Sequence, residues 1–238
     1  MTELMMKLRR SPRVLLERDG YPGPGPGRMG LVMARAGAGK TAFLVGVGLD
    51  ALLAGQRVLH VTLHRTVDKV RSWYDDLLQE LARAGEVTGH LPEMQLSVER
   101  RRHIHTFAGS TFSPAKLKDT LALIKTHMEF KPDVIILDRL ELETLPRTTV
   151  DELKAIAAEH GSELWMSCRI HRDGPPAQAG HLPFPADGIE DLVDLAFRLV
   201  HDEGRMRLFV LKDRNQILER GTNLLLDPTS MLLFPETH

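Results

Sequence analysis

The amino-acid sequence predicts an α/β fold in which a mainly parallel β-sheet is flanked by helices, with a β-hairpin near the C-terminal end. Three observations lead to this fold class. Short apolar runs alternate with helical patterns, a loop of small residues joins the first run to the first helix, and two apolar runs flank Asp227-Pro-Thr-Ser230. Strands that alternate with helices favour parallel pairing, because crossover helices cover the faces of the sheet. The runs predicted as core strands are Met29–Ala34, Arg57–Leu63, His103–Phe107, Val134–Leu137, Glu163–Ser167, Leu195–Val200 and Met206–Leu211.

The composition is that of an ordinary globular protein, with 42% hydrophobic and 26% charged residues in a chain of 238. The 31 Lys and Arg residues nearly balance the 32 Asp and Glu residues, so overall charge gives no argument for nucleic-acid binding. The single cysteine, Cys168, excludes an internal disulfide and a multi-cysteine zinc site. No apolar run approaches the ~18 residues that span a bilayer, and residues 1–13 lack the apolar core of a secretory signal. We therefore expect a cytoplasmic protein that is not inserted in a membrane.

The first part of the chain is predicted to be an extension and a linker. Residues 21–27 alternate proline and glycine after Tyr21, and these two residue types disfavour both helix and central strand. The alternative, a proline-rich ligand for a partner protein, lacks the apolar and basic neighbours that such ligands use. The predicted division is an extension over residues 1–27 and one folded domain over residues 28–238.

Four helices are predicted between the strands. Gly55 and Gly161 suit left-handed C-terminal caps, and Ser113 followed by Pro114 is typical of a helix start. The predicted helices cover about Lys40–Ala54, Val67–Ala84, Ser113–Met128 and Val150–His160.

The loop after the first predicted strand has the composition of a phosphate-binding turn. Such a turn brings successive backbone N–H groups close to phosphate oxygens, and bulky side chains would hold the phosphates away. Lys40 would supply positive charge to the β- and γ-phosphates, and the Thr41 hydroxyl would be a Mg²⁺ ligand. Ala34 stands where the usual pattern has glycine, and alanine adopts positive φ less readily. The alternative is a turn that merely joins strand to helix. The residues predicted to bind the nucleotide are Ala34, Arg35, Ala36, Gly37, Ala38, Gly39, Lys40, Thr41 and Ala42.

A second candidate ligand ends the apolar run Val134-Ile-Ile-Leu137, which is followed by Asp138. We expect this strand to lie beside the loop strand in the parallel sheet. That position would bring the Asp138 carboxylate next to the Mg²⁺ ion held by Thr41. The metal ligands predicted from the sequence are therefore Thr41 and Asp138.

The order of these segments resembles a RecA-like P-loop ATPase core, within the group that contains KaiC and the motor domain of DnaB-type replicative helicases. The resemblance covers about residues 28–234. It implies that the nucleotide is ATP with Mg²⁺, and that ATP sits at the boundary between subunits of a homo-oligomer. The similar segments are 34–41, 134–142, 149–157, 164–167, 188–196 and 210–215.

Lys212 and Arg214 are similar to a Lys-x-Arg-Asn segment with which this family reaches the γ-phosphate of the neighbouring subunit. Residues two apart on a strand share a face, so we expect both side chains to project together. Two cations aimed at one point would stabilise charge that develops during phosphoryl transfer. The alternative is a solvated basic edge on an exposed strand.

Two catalytic positions depart from the family pattern. His64 stands where the family ends its second strand with a water-polarising glutamate, and Cys168 stands where it has a sensor glutamine. A neutral imidazole orients a water less well than a carboxylate does, and a thiol is a poor substitute for an amide. We therefore predict that the protein binds ATP and hydrolyses it slowly or not at all. The candidate catalytic residues remain His64, Cys168, Lys212 and Arg214.

Three functional hypotheses fit these residues. The first is a nucleotide-controlled regulatory or assembly subunit, whose partners are ATP or ADP and either copies of itself or another protein. The second is an ATP-dependent DNA helicase or recombination ATPase, and the third is a small-molecule kinase. The loop 174–185 contains one aromatic residue, Phe184, and no Lys or Arg, although Arg100–His103 is basic, so single-stranded DNA is weakly supported.

The histidines give no metal site at the sequence level. His60 and His64 form one close pair and His103 and His105 another, and neither has a carboxylate or thiolate at ligand spacing. We predict that they are core or surface residues, and that Trp73 and Tyr74, on the helix after the second strand, make packing contacts rather than cofactor contacts.

Overall fold

The computed structural model describes residue 13 and residues 23–108, 111–171, 174–175, 178–202, 205–227, 230 and 232–235. Five helices lie between strands in the described residues. They are α1 (Lys40–Leu53), α2 (Val67–Ala84), α3 (Leu91–Arg101), α4 (Pro114–Met128) and α5 (Arg147–His160). The described strands are β1 (Met29–Ala34), β2 (Val58–Leu63), β3 (Arg102–Phe107), β4 (Val134–Asp138), β5 (Glu163–Arg169), β6 (Leu195–Asp202), β7 (Arg205–Asp213), β8 (Gln216–Leu226) and β9 (Leu233–Pro235).

The strands form one mixed sheet in the order β3-β2-β4-β5-β1-β6-β7-β8-β9. Pairing is parallel from β3 through β6 and antiparallel from β6 through β9. The predicted α/β class with a mainly parallel sheet is therefore confirmed. So is the C-terminal hairpin, because β8 and β9 pair at the edge and Asp227 N–H donates to the Leu232 carbonyl.

Both faces of the parallel part are covered by helices. α1, α2 and α3 pack on one face, and α4 and α5 pack on the other. Every residue of β1, β2 and β4 is buried, as expected for strands enclosed on both sides. Alternate residues of these strands belong to the two opposite apolar clusters, so the strand period decides which helical layer each side chain meets.

The predicted core strands are confirmed within two residues at each end. Helix starts follow the expected capping chemistry at α4, where the Ser113 hydroxyl accepts a hydrogen bond from Lys116 N–H at 3.3 Å. Two elements were not predicted, α3 and the first part of β8. None of the helices in the described part of the chain is long and apolar enough to cross a membrane.

The described residues before β1 include several that are buried. Residues 23–27 form bends and a turn, as predicted from their proline and glycine content, but Gly23, Pro24 and Gly25 are buried. Arg13 is also fully buried, and its guanidinium donates to the Glu163 carboxylate at 3.0 and 3.2 Å. The division between an extension and a folded domain at residue 27 stays a prediction. The Arg13 side chain nevertheless makes an ionic contact with the folded domain.

Candidate phosphate-binding site

The loop between β1 and α1 exposes backbone rather than bulky side chains. Gly37 and Gly39 have φ angles of 77° and 81°, in the left-handed region that glycine adopts most readily. A Cβ atom added to Gly37 would meet nothing within 4 Å, so the outer side of the turn is open. Gly39 is the N-cap of α1, and glycine has no side chain to accept hydrogen bonds from the first turn. The positive end of α1 therefore faces this loop.

The alanine at the start of the loop is compatible with this backbone. Ala34 is the last residue of β1, where it pairs with Arg169 of β5. Its strand geometry requires no positive φ. The departure from glycine thus adds one buried methyl group without backbone strain.

Lys40 folds across the loop. Its Nζ atom donates hydrogen bonds to the carbonyl oxygens of Ala34 and Arg35, each at 2.9 Å. Burial lowers the pKa of Lys40, while the Asp138 carboxylate raises it and the guanidinium groups of Arg169 and Arg139 lower it. The ammonium group therefore lies among charges that meet at the carboxyl edge of the sheet.

Thr41 and Asp138 meet directly, as the sequence predicted. The Thr41 hydroxyl donates a hydrogen bond to Asp138 Oδ2 at 2.8 Å, and Asp138 is 1% exposed. A hydroxyl and a carboxylate are oxygen ligands of the kind that Mg²⁺ prefers, and Mg²⁺ commonly uses few protein ligands together with phosphate and water. The pair thus fits the ion that the resemblance implies. The described residues contain no group of three or more His, Cys, Asp or Glu side chains that could hold a metal.

The expected strand order around Asp138 is wrong. β4 does not lie beside β1, because β5 is inserted between them and pairs with both. The contact with Thr41 forms nevertheless, since α1 starts above β1 and packs across β5 and β4. α1 therefore lies over the inserted strand as well as over β1 and β4.

Two arginines at this edge were not among the predicted site residues. Arg139 follows Asp138 with a φ of 70°, and its N–H donates to the buried Ser167 hydroxyl at 2.8 Å. Arg169 ends β5 next to Ala34. Both side chains are exposed and both act electrostatically on Lys40. Their positions at or just after the ends of apolar strands could have indicated them, because carboxyl ends of parallel strands share one edge of the sheet.

His64 also lies at this edge. It follows β2 directly, and Thr62 of β2 is the register partner of Asp138. Its φ of 62° is uncommon for a residue other than glycine, and its side chain is exposed.

Cys168 lies in the core beneath the loop rather than on the surface. It is 0% exposed on β5, pairs with Met33 of β1, and belongs to the apolar cluster on the face of α4 and α5. Burial raises the pKa of the thiol to about 12, so it stays protonated at neutral pH. A neutral thiol enclosed in an apolar cluster resembles a core residue more than a polar sensor.

Lys212 and Arg214 do not share a strand face, so that expectation is wrong. β7 ends at Asp213, and Arg214 belongs to the two-residue turn before β8, with a φ of 55°. Lys212 is 7% exposed, and its Nζ atom donates to the Glu190 carbonyl of the same chain. The lysine therefore has a partner inside its own domain.

The described residues bring Lys40, Thr41 and Asp138 together at one edge of the sheet, with Arg139 and Arg169 beside them. His64 lies at the same edge, Cys168 lies below it, and the Lys212 ammonium is engaged elsewhere. No protein-family model matches this chain, and no curated protein matches it.

Proposed function

We propose that this protein binds Mg²⁺-ATP as a RecA-like P-loop protein and acts as a nucleotide-controlled regulatory or assembly subunit, with slow or absent hydrolysis. The observation that carries the proposal is the 2.8 Å hydrogen bond between Thr41 and Asp138, formed beside a lysine that folds over a glycine-containing loop. The proposal also includes a homo-oligomer with ATP at the boundary between subunits, because the resemblance to RecA-like ATPases implies one.

Phosphate binding is supported by the loop and the helix after it. The open surface at Gly37 leaves room for phosphate oxygens against the backbone, and the start of α1 favours negative charge. Lys40 would exchange its two carbonyl partners for oxygens of the β- and γ-phosphates. This exchange replaces neutral acceptors by charged ones, which strengthens each hydrogen bond.

Metal binding is supported by the donor set. Thr41 and Asp138 would hold Mg²⁺ from the protein side, directly or through water, while the phosphates complete the shell. The ion would supply charge neutralisation of the β- and γ-phosphates. Arg139 and Arg169 add positive charge at the same edge.

Slow hydrolysis is supported by the residues at the carboxyl end of β2. An exposed histidine, His64, and Arg65 take the place of a carboxylate there, and the next carboxylate is Asp68 in the first turn of α2. Loss of a general base typically lowers a rate by about 10²–10⁴-fold. Lys212 donates to the Glu190 carbonyl of its own chain, and it would have to leave that partner to reach the γ-phosphate of a neighbouring subunit.

Calorimetry with ATP and ADP in Mg²⁺ tests the proposal, with Lys40→Ala as the site variant and Lys125→Ala, an exposed lysine of α4, as the matched control. We expect binding in the wild type and in Lys125→Ala, and a loss of at least about 10-fold in Lys40→Ala. Absence of measurable nucleotide binding to the wild-type protein would overturn the proposal.

Light scattering and turnover assays on the same proteins test the regulatory part. We expect Mg²⁺-ATP to change the molar mass or the affinity for a partner, with turnover well below ~1 s⁻¹, the low end of ordinary enzymes. Turnover that single-stranded DNA raises and salt suppresses would instead identify the motor hypothesis as correct.

A further inference from the structure

Four buried side-chain atoms lack hydrogen-bond partners in the described part of the chain, and three of them belong to the paired strands β2 and β4. These three are His60 Nε2, Thr62 Oγ1 and Asp138 Oδ1, whereas the fourth, Arg102 Nη1, lies 3.5 Å from a carboxylate oxygen of Asp75. His60, Thr62 and Asp138 are 0%, 0% and 1% exposed. Buried polar atoms are nearly always paired with protein groups, ions or ordered water, so three orphans in one place indicate a bound polar ligand.

The three side chains share a face by strand geometry. His60 and Thr62 are two residues apart on β2, and Thr62 is the register partner of Asp138 on β4. Val58 and Ile136, which have the same alternation, belong to the apolar cluster beneath α1 and α2. The orphan atoms therefore lie between the sheet and these helices, next to the start of α1.

The spacing suits one small ligand. Neighbouring strands are about 4.8 Å apart. Two polar atoms that are bridged by one water lie about 5.6 Å from each other, which is similar to this strand spacing. A water here would have three polar partners, which is the usual number for buried water. The Asp138 carboxylate also acts electrostatically on His60, which is consistent with this short distance across β2 and β4.

We propose that His60 Nε2, Thr62 Oγ1 and Asp138 Oδ1 form a site for one buried water, which makes Thr62 and His60 positioning residues for Asp138. The site itself does not depend on nucleotide. Its consequence for magnesium rests on the proposed function, because Asp138 is a ligand only in that proposal.

The histidine end of the site is held rigidly. Tyr74 Oη lies 3.0 Å from His60 Nδ1, and both side chains are fully buried. The Arg102 guanidinium lies over the Tyr74 ring, 4.9 Å from its centre. With Nδ1 engaged by the tyrosine, Nε2 is the nitrogen that faces the proposed water.

The carboxylate end would then be held at both oxygens. Thr41 donates to Oδ2, and the water would donate to Oδ1. Rotation of the carboxylate would break one of these hydrogen bonds, so the pair of partners fixes the direction in which Asp138 presents its oxygens. Removing such an outer partner typically costs about 10–100-fold in metal affinity.

The Mg²⁺ dependence of ATP binding tests the positioning role. Thr62→Val keeps the shape of the side chain and removes the hydroxyl, whereas Thr62→Ser keeps the hydroxyl. The matched control is Thr120→Val, since Thr120 is a buried threonine of α4 whose hydroxyl donates to the Lys116 carbonyl, away from the site.

We expect Thr62→Val to raise the Mg²⁺ concentration that half-saturates ATP binding by about 10-fold or more, with ATP affinity in EDTA unchanged. Thr62→Ser and Thr120→Val should keep the wild-type midpoint. A midpoint in Thr62→Val equal to that of the wild type would overturn the positioning role.

Crystals of the nucleotide-free protein test the water site itself, at a resolution that shows ordered solvent. We expect one water within about 3.2 Å of all three atoms in the wild type and its loss in Thr62→Val. Absence of that water in the wild type would overturn the inference even if ATP binds. Its presence in a protein that binds no ATP would support the site and refute the proposed function alone.

Discussion

Tyr74 of α2 reaches His60 of β2 beneath Gly48 of α1, with the tyrosine oxygen 3.0 Å from the imidazole Nδ1. The hydroxyl needs the space above Gly48, because a Cβ atom at that position would overlap it. The glycine in α1 therefore leaves room for the hydrogen bond between α2 and β2. This contact joins α2 to β2, the strand that contributes His60 and Thr62 to the proposed water site.

Gly48→Ala should destabilise the protein by displacing this tyrosine. Overpacking in a dense core costs about 1–3 kcal/mol, and a displaced Tyr74 would also leave His60 Nδ1 unpaired. The measurement is the urea midpoint of unfolding. Gly46→Ala is the matched control in the same helix, because the nearest atom to its added Cβ would be Leu77 Cδ2 at 4.0 Å.

For the control we expect an unchanged or raised midpoint, since alanine favours helix over glycine by about 1 kcal/mol. Equal shifts in the two variants would show that the space above Gly48 is not required.

His60 should make the folded state sensitive to mild acid. Burial lowers the pKa of His60 to about 4 from an ordinary value of 6.5, so the unfolded chain binds more protons between these values. The stability that this group contributes is present above pH 6.5 and is lost as pH falls towards 4. The expected loss is about 2 kcal/mol by pH 5.

Urea unfolding at pH 7.5 and pH 5 measures this loss in the wild type, in His60→Gln and in His127→Gln, whose histidine is exposed on α4. The difference in free energy of unfolding between pH 7.5 and pH 5 should be smaller in His60→Gln than in the wild type. In His127→Gln it should equal that of the wild type. An undiminished difference in His60→Gln would assign the acid sensitivity to other groups.

Cys168 should resist thiol reagents in the native protein. Burial raises the pKa of the thiol to about 12, against 9.0 for an unperturbed thiol, so its thiolate fraction at pH 8 falls about 10³-fold. Labelling kinetics in buffer and in urea give the comparison, and no other cysteine contributes to the signal. Rapid labelling of the folded protein would instead place the thiol near solvent.

The raised pKa of Cys168 also affects stability at alkaline pH, whereas the lowered pKa of His60 affects it at acid pH. A raised thiol pKa contributes stability below pH 9, and this contribution is lost as pH rises towards 12. Cys168→Ala should therefore flatten the alkaline limb of the stability profile. An alkaline limb that is unchanged in Cys168→Ala would assign this loss of stability to other groups.

Local patterns predicted β1, β2 and β4 well because each is a mainly apolar run that is buried along its whole length. Helix α3 was missed for a physical reason. It buries only Met94 and Val98 within Leu91–Arg101, so its apolar stripe is too narrow to stand out from the charged residues around it.

The candidate site was predicted in part for a similar reason. Thr41 and Asp138 are each marked by local context, a strand end or a helix start, and their contact is confirmed. The insertion of β5 between their strands depends on long-range pairing, which carries no local signature. The prediction for Arg214 failed because β7 ends one residue before it. The alternation of side chains between the two faces predicts the direction of a side chain only within the strand.

Replacing Lys212 distinguishes a role in the stability of its own chain from a role in contact with a neighbouring subunit. Its ammonium donates to the Glu190 carbonyl, which also accepts a hydrogen bond from Val193 N–H at 3.3 Å, and replacing the lysine would remove the charged partner of that oxygen. We expect Lys212→Met to lower the free energy of unfolding by about 1–2 kcal/mol, with a urea midpoint that does not depend on protein concentration. Lys125→Met, at an exposed position of α4, should leave the midpoint unchanged. If Lys212 instead reached a neighbouring subunit, Lys212→Met would unfold like the wild type when dilute and would alter only the ATP-dependent molar mass. The hydrogen bond within the chain favours the first outcome, because the ammonium would have to leave the Glu190 carbonyl to reach another protomer.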